Sequence, residues 1–477
     1  MRFKAVFLKH INGGHNFLCR HFSDRFGDIM VHCFSFDDDY YLYDVGSGSL
    51  HKCDALTCQV INKRQGLPYD FGGVSDDVIA EIESEIDELC AEGTLFKKDD
   101  PVVPAKSKYI KALCLHICHD CNLRCKYCFA GTGSFKGVRS FMSEEVAKKA
   151  IDFLIENSGD RRILETDFFG GEPLMNFDVV KKTVEYANAK AAERGKKFLF
   201  TMTTNGVLLK GEIADWLNEN MENVVLSLDG RKEVHDEVRK TVNGKGSFDV
   251  IIQNFKNFVA KRGDKSYYIR GTFTNKNLDF AKDVLFMADS GFKEISLEPV
   301  VLEPTHELAI PESAIPQIKE EYKKLAREYI ERRKNGRGFH FFHFSIDLEG
   351  GPCLQKRVNA CGAGNEYFSV TPNGDIYPCH QFADKPEFKM GNVFDGKLDE
   401  TIRDKFRNSS LFTRKGCENC FARYHCSGGC AANNYAFNGD INIPYKPTCE
   451  MLKARTECAM HILSCEKEQK ENEKNAK

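Results

Sequence analysis

Three absences frame this 477-residue chain. No stretch approaches the roughly 20 consecutive apolar residues that a bilayer-crossing helix needs, so no membrane span is expected. No secretory signal is visible: Met1-Arg-Phe-Lys opens with mixed charge and no uninterrupted apolar core follows. No charge of one sign dominates either. The 67 Lys and Arg stand against 70 Asp and Glu, a formal net charge of −3. Bulk charge therefore gives no ground for a nucleic-acid or polyanion partner. What is abundant is cysteine, at 20 residues. At this density, in a long chain without an export signal, cysteines read as metal ligands rather than disulfides. The expected setting is a reducing cytoplasm with little oxygen.

The length predicts two or three domains. Residues 1–29 form an extension with no clean period, and Met30 opens a more strand-like run, so Met30 is a candidate start. Residues 29–45 read as a hairpin turning at Asp37-Asp38-Asp39, with a second turn at Gly46-Ser-Gly-Ser49. Residues 54–62 look helical. Ser75-Asp-Asp77 reads as an N-cap for a helix with Val78, Ile82, Ile86 and Leu89 on one face, ending at Gly93. A last strand is expected at 94–96. Strands followed by small helices fit a winged-helix-like module over 30–100. Its acidity favours a peptide added at the hairpin edge over a nucleic acid; a structural cap on the next domain is the alternative. Pro101-Val-Val-Pro104-Ala is a stiff boundary.

Beyond it, strands and helices alternate. Strand-like runs fall at 109–117, 163–169, 197–203, 223–228, 267–274 and 294–299, with helical stretches between them. Six β-then-α units over 107–340 predict an α/β fold: a parallel sheet with right-handed crossovers, curled as a partial (β/α)6 barrel. Chemistry in such folds sits at the C-terminal ends of the strands. After the first strand comes Cys121-Asn-Leu-Arg-Cys125-Lys-Tyr127-Cys128. Three thiolates in eight residues can hold three corners of a cubane iron–sulfur cluster and leave the fourth iron open. On spacing alone, a zinc knuckle fits about as well. After the second, third and fourth strands come Gly170-Gly171-Glu172-Pro173, Thr204-Asn205-Gly206 and Ser227-Leu-Asp229-Gly230. Each alone is an ordinary turn; four at one end of one sheet are not expected by chance. The glycines let backbone approach a ligand, Glu172 can accept from an ammonium, Pro173 fixes the turn, and Asn205 and Ser227 can bond hydroxyls or a carboxylate.

These motifs resemble the radical S-adenosylmethionine (SAM) superfamily over residues 109–299. The resemblance implies that Cys121, Cys125 and Cys128 hold a [4Fe-4S] cluster whose open iron chelates SAM. Reduction of SAM there yields a 5′-deoxyadenosyl radical. It further implies that Glu172, with Gly170, Gly171 and Pro173, holds the SAM amino group and that Tyr127 lies near the adenine. Asn205, Ser227 and Asp229 are further contacts.

A second cysteine system fills 341–465: Cys361, Cys379, Cys417-x₂-Cys420-x₅-Cys426-x₃-Cys430 and Cys449. Zinc ribbons are the plain alternative. The pattern is similar to the SPASM extension of radical SAM peptide-modifying enzymes. That similarity implies two auxiliary [4Fe-4S] clusters, for three in all. One takes Cys361, Cys379 and Cys430, the other Cys417, Cys420, Cys426 and Cys449. The first then lacks one ligand, which either Cys353 or a substrate thiol would supply. Cys114, Cys118, Cys458 and Cys465 read as packing residues, and residues 466–477 as a solvated tail.

The order of acidic module, barrel and SPASM resembles maturases of ribosomally made peptides. Tyr43-Asp-Val-Gly-Ser-Gly-Ser-Leu-His51, Cys361-Gly-Ala-Gly-Asn-Glu-Tyr367 and Tyr377-Pro-Cys-His-Gln381 look most like the thioether-forming maturases of SCIFF peptides, which carry six cysteines in forty-five residues. The implied partners are a cysteine-rich precursor peptide, its leader gripped by the N-terminal module, and an electron donor such as flavodoxin or ferredoxin. Two alternatives remain: a sulfatase-type maturase forming formylglycine, and a non-enzymatic iron–sulfur or zinc protein that binds peptides.

Overall fold

The computed structural model describes residues 4–7, 29–99, 106–348 and 354–475. The 101–105 boundary and Cys353 lie outside them. In chain order the N-terminal module comprises β1 (Lys4–Phe7), β2 (Val31–Phe36), β3 (Asp39–Asp44), β4 (Leu50–Cys53), α1 (Ala55–Arg64) and α2 (Asp76–Ala91). The barrel region follows with β5 (Ala112–Cys118), β6 (Leu123–Cys125), α3 (Glu144–Glu156), β7 (Ile163–Gly170), α4 (Phe177–Glu193), β8 (Lys197–Thr204), α5 (Gly211–Asn220) and β9 (Asn223–Ser227). It continues through α6 (Lys232–Val238), β10 (Arg239–Thr241), α7 (Phe248–Arg262), β11 (Tyr267–Phe273), α8 (Ala281–Asp289), β12 (Glu294–Pro299), α9 (Ile315–Lys334) and β13 (His340–Phe341). The last third contains α10 (Leu354–Asn359), β14 (Tyr367–Val370), β15 (Asp375–Tyr377), β16 (Gly391–Asn392), β17 (Lys397–Leu398), α11 (Glu400–Arg407), α12 (Arg423–Cys426), α13 (Ala431–Asn438) and α14 (Lys446–Asn475).

The six expected barrel strands are all present and run parallel as neighbours in chain order, β5-β7-β8-β9-β11-β12. Burial alternates along β7 and β8, with Leu164, Phe168, Phe198, Phe200 and Met202 packed under the helices. The other face, with Glu165, Asp167, Phe169, Thr201 and Thr203, lines a polar interior and is only half-buried. Ser143 caps α3, its Oγ accepting from Val146 N at 3.2 Å.

Two features of the sheet were not expected. β13 extends it beyond β12, and on the other side β14 pairs in parallel with β5. The antiparallel β15, β16 and β17 then carry the sheet onward. The cysteine-rich third therefore grows directly out of the barrel's first strand.

The N-terminal module also differs in detail. Residues 94–96 are not a strand; the third strand of the hairpin sheet is β4, which follows the 46–49 turn. The carbonyl of Thr94 accepts from Ser47 Oγ at 3.0 Å, which ties that segment to the turn instead of to a sheet edge. Ser75 precedes α2 in extended backbone but makes no side-chain capping bond. β1 lies antiparallel on the outer edge of β4, giving the order β1-β4-β3-β2. At the other end, α14 continues through Asn475, so the Lys- and Glu-rich end is helical, not a separate tail. Glu466 pairs with Arg333 at 3.0 Å and Glu468 with Lys52 at 3.4 Å. Among the described residues no helix is long and apolar enough to cross a membrane.

The module is seated on the cysteine-rich third. His32 stacks on Phe421 with centroids 3.5 Å apart, and its Nε2 meets Glu457 at 2.9 Å. Tyr41 and Tyr43 hydroxyls bond His461 Nδ1 at 2.8 Å and His425 Nε2 at 3.1 Å. Asp99 accepts from Arg423 at 2.5 Å and from the Tyr424 hydroxyl at 2.6 Å, all three largely out of water.

Candidate active site at the strand ends

Because β5, β7, β8 and β9 are parallel, their C-terminal ends share one rim, and the four motifs read from the sequence lie there together. The cysteine loop is pinned to its neighbour by backbone: Gly171 N donates to the Cys118 carbonyl and Glu172 N to the Asp120 carbonyl, both at 2.9 Å. A Cβ on Gly171 would run into the Asp120 carbonyl oxygen, so only glycine permits this approach.

Glu172 is fully buried. Its carboxylate accepts from Asn205 N at 2.7 Å, Thr204 Oγ1 at 2.8 Å and Leu174 N at 3.1 Å. Burial pushes its pKa up to about 7, against these three donors, which favour the charged form. The side chain thus ties the β7 turn to the end of β8. Asn205 continues the tie, donating to Asn122 Oδ1 at 2.7 Å and lying 3.6 Å from Cys121 Sγ.

Asp229 is likewise fully buried. It receives Arg239 through two bonds at 2.9 and 3.1 Å, the Tyr127 hydroxyl at 2.7 Å and Thr272 N at 2.9 Å. Tyr127 and Asp229, both read from the sequence as SAM contacts, are hydrogen-bonded to each other. Arg239, which the sequence reading missed, stacks 5.5 Å over the Tyr127 ring; burial pushes the Cys125 thiol up to about 11, and the charge and hydrogen bond of Arg239 oppose that rise. Its signal in the sequence is faint, a lone arginine after a short helix. Arg270 was also missed. In the strand register it pairs with Ser227 on one side and Ser296 on the other. Burial lowers the pKa of His343 and His380, and the Arg270 charge adds to it; against burial, His343 and Arg455 lower that of Glu298, and Arg270 adds to them.

Charge interactions link neighbouring thiols in three places. Burial, then Glu172, Cys125 and Cys128, push Cys121 up to about 12. Burial, then Cys430 and Cys361, raise Cys379. Cys417 feels Cys426, Cys420 and Cys449. Each group is purely thiol and mutually close. Donor sets of three or four thiols fit the corners of cubane iron–sulfur clusters. The rim and the second system also touch directly: His380, beside Cys379, packs on Phe169 at 4.9 Å and on Phe129, beside Cys128, at 5.6 Å.

Comparison with known proteins agrees with this geometry. Residues 115–284 match the radical SAM superfamily model, and residues 361–422 match the SPASM iron–sulfur cluster-binding domain. The chain is 28% identical over 337 residues to a cysteine-type anaerobic sulfatase-maturating enzyme of Clostridium novyi (strain NT), an alignment covering 66% of this chain and 86% of that one. Among solved structures, anSMEcpe with bound AdoMet and Kp18Cys peptide matches at a TM-score of 0.63 and 22% identity, over 74% of this chain and 98% of its own. Streptococcus suis SuiB bound to precursor peptide SuiA matches at 0.50 and 15% identity, over 87% and 97%. The fold and the rim define an enzyme of radical chemistry. The chain belongs to the radical SAM superfamily and carries a SPASM domain, which implies iron–sulfur clusters and SAM as its cofactors.

Proposed function

We propose that this enzyme matures a ribosomally made, cysteine-rich precursor peptide by joining cysteine sulfur to carbon in thioether crosslinks. The observation that carries the reading is the N-terminal module seated on the SPASM region. The sulfatase-maturase structure is matched over 98% of its own length yet leaves about a quarter of this chain without a counterpart. The match to SuiB, whose structure holds a precursor peptide, extends over 87% of this chain. A module for gripping a leader accounts for that difference. The edge of β4 already takes an added strand from the chain's own residues 4–7, which is how an extended leader would dock.

Three cubane clusters are proposed, with SAM at the open iron of the Cys121, Cys125 and Cys128 cluster. That group supplies a carbon-centred radical able to remove a hydrogen atom from the peptide. The chain's own residues do the rest. Gly171, Glu172 and Asn205 fix the rim. Phe129, Phe169 and His380 shield the gap between rim and SPASM from water. Cys361 is exposed, beside a small cleft that it lines with Gly362, Phe406, Arg414 and Gly429, so a peptide thiol can approach the first auxiliary site from solvent. An external flavodoxin or ferredoxin is the proposed electron donor.

The test is anaerobic incubation of reconstituted enzyme with SAM, reductant and a cysteine-rich precursor. The expected product has lost two hydrogens and one titratable thiol per crosslink, and a leaderless core peptide reacts poorly. A product carrying an aldehyde, formed equally well without a leader, would establish the sulfatase-type reading instead, which the 28% identical relative favours.

A further inference from the structure

We propose that Arg414 is a shared counter-charge for the two auxiliary clusters, a buried guanidinium between their cysteine sets that raises the reduction potential of both. The proposal rests on the two-cluster reading of the SPASM cysteines.

Arg414 is 4% exposed. Its Nη1 donates to the carbonyls of Ser427 at 3.2 Å and Gly429 at 2.7 Å, and its Nε lies 3.3 Å from Ser409 Oγ. Residues 427–429 are the whole link between Cys426, of the second set, and Cys430, of the first. The Arg414 carbonyl in turn accepts from Cys417 N at 3.3 Å. One side chain therefore holds the only short segment common to both sets. Gly428 leaves room for it: a Cβ there would come 2.5 Å from Arg414 Cδ.

The charge balance differs from that of most buried arginines here. Arg239 has Asp229, Arg423 has Asp99 and Arg455 has Glu298, whereas Arg262 is held by the Met221, Glu222 and Ser266 carbonyls. Among the described residues no carboxylate pairs with Arg414. Burial lowers its pKa, and the groups that oppose this are Cys417 and Cys426 of one set and Cys361 and Cys430 of the other. A buried cation without a counter-charge is costly. Thiolate-bound clusters, net negative and more so when reduced, supply that charge from both sides. The cation in return stabilises the reduced state of each, and net charge is one of the terms that set such potentials.

The test uses full-length protein with Cys121, Cys125 and Cys128 replaced by Ala, so that only auxiliary clusters contribute signal. Iron content and redox titrations followed by electron paramagnetic resonance are compared for this parent, Arg414→Gln and Arg414→Lys. With about eight irons retained per chain, Arg414→Gln is expected to lower both midpoints, shifting each reduced-to-oxidised ratio about tenfold (about 59 mV for one electron). Arg414→Lys is expected to stay near the parent. Iron retained with neither or only one midpoint moved overturns the proposal, as does a lysine variant that shifts as far as glutamine. If glutamine loses iron, lysine decides. Parental potentials with full iron support the charge role, and iron loss in lysine too reduces Arg414 to a loop clamp. A parent that binds well under eight irons overturns the two-cluster reading itself, and the proposal with it.

Discussion

Cys121, Cys125 and Cys128 lie within eight residues on one loop, surrounded by the ends of parallel strands. Cys361, Cys379, Cys417, Cys420, Cys426, Cys430 and Cys449 are scattered over nearly ninety residues with little regular structure between them. The first system is held by backbone, through the Gly171 and Glu172 amides and the buried Glu172 carboxylate. The second is held by side chains reaching across loops: Arg414 on the 427–429 link, Asn434 on the Ile441 carbonyl, and Arg403 on the Lys108 carbonyl. Ligands close in sequence need only their loop fixed against a sheet. Distant ones need several separate segments brought together, and that takes long-range polar anchors.

Removing ligands sharpens the contrast most. Replacing Cys121, Cys125 and Cys128 with Ala should remove about four irons per chain and abolish SAM cleavage. Cys379→Ala should also lose iron but leave SAM cleavage without peptide product. Iron assay and 5′-deoxyadenosine quantification separate the two, and SAM cleavage lost equally in both would erase the distinction.

The backbone claim is tested next by Gly171→Ala. Collision with the Asp120 carbonyl should cut SAM cleavage by at least tenfold, while the far-ultraviolet dichroism of the fold persists. Activity near the parent's would show that the loop is not pinned there. Asp229→Asn leaves Arg239 buried without its counter-charge, at a cost of about 3–5 kcal/mol. Thermal unfolding should report a clear drop in Tm; an unchanged Tm would mean that Arg239 finds another partner.

The smallest expected effect concerns the seating of the N-terminal module. Burial lowers His461 to about 4, below its ordinary value of about 6.5. The unfolded or undocked state therefore takes up the proton first, and stability is lost as pH falls from about 6.5 towards 4. At pH 5 the loss is about 2 kcal/mol. Hydrogen exchange in β2 and β3 should quicken between pH 7 and pH 5, after correction for intrinsic rates, and this dependence should weaken in His461→Phe, with His425, bonded to Tyr43 and also lowered by burial to about 4, supplying the remainder. A flat profile in the parent would show that the module's seat does not use a neutral His461.

Much of this was legible in the sequence. The six parallel strands have strong period and clear turn punctuation, and Cys121 to Cys128 with Gly170 to Pro173 carry their chemistry in a few contiguous residues. The misses share a physical cause. The strand at 50–53 and the helical end of α14 depend on partners far along the chain, Lys52 and Glu468 among them. Arg239, Arg270 and Arg414 look like any surface arginine until the fold buries them or turns them inward.

By itself, then, the sequence determined the barrel and the rim motifs at its strand ends, because period and turn chemistry are local. Only the tertiary structure decided that β14 extends the barrel sheet, that the N-terminal module sits on the SPASM region, and that Glu172 and Asp229 brace the rim. It also set buried Arg414 on the 427–429 segment. Those outcomes turn on burial and on charge balance between residues remote in sequence, and no local pattern encodes them.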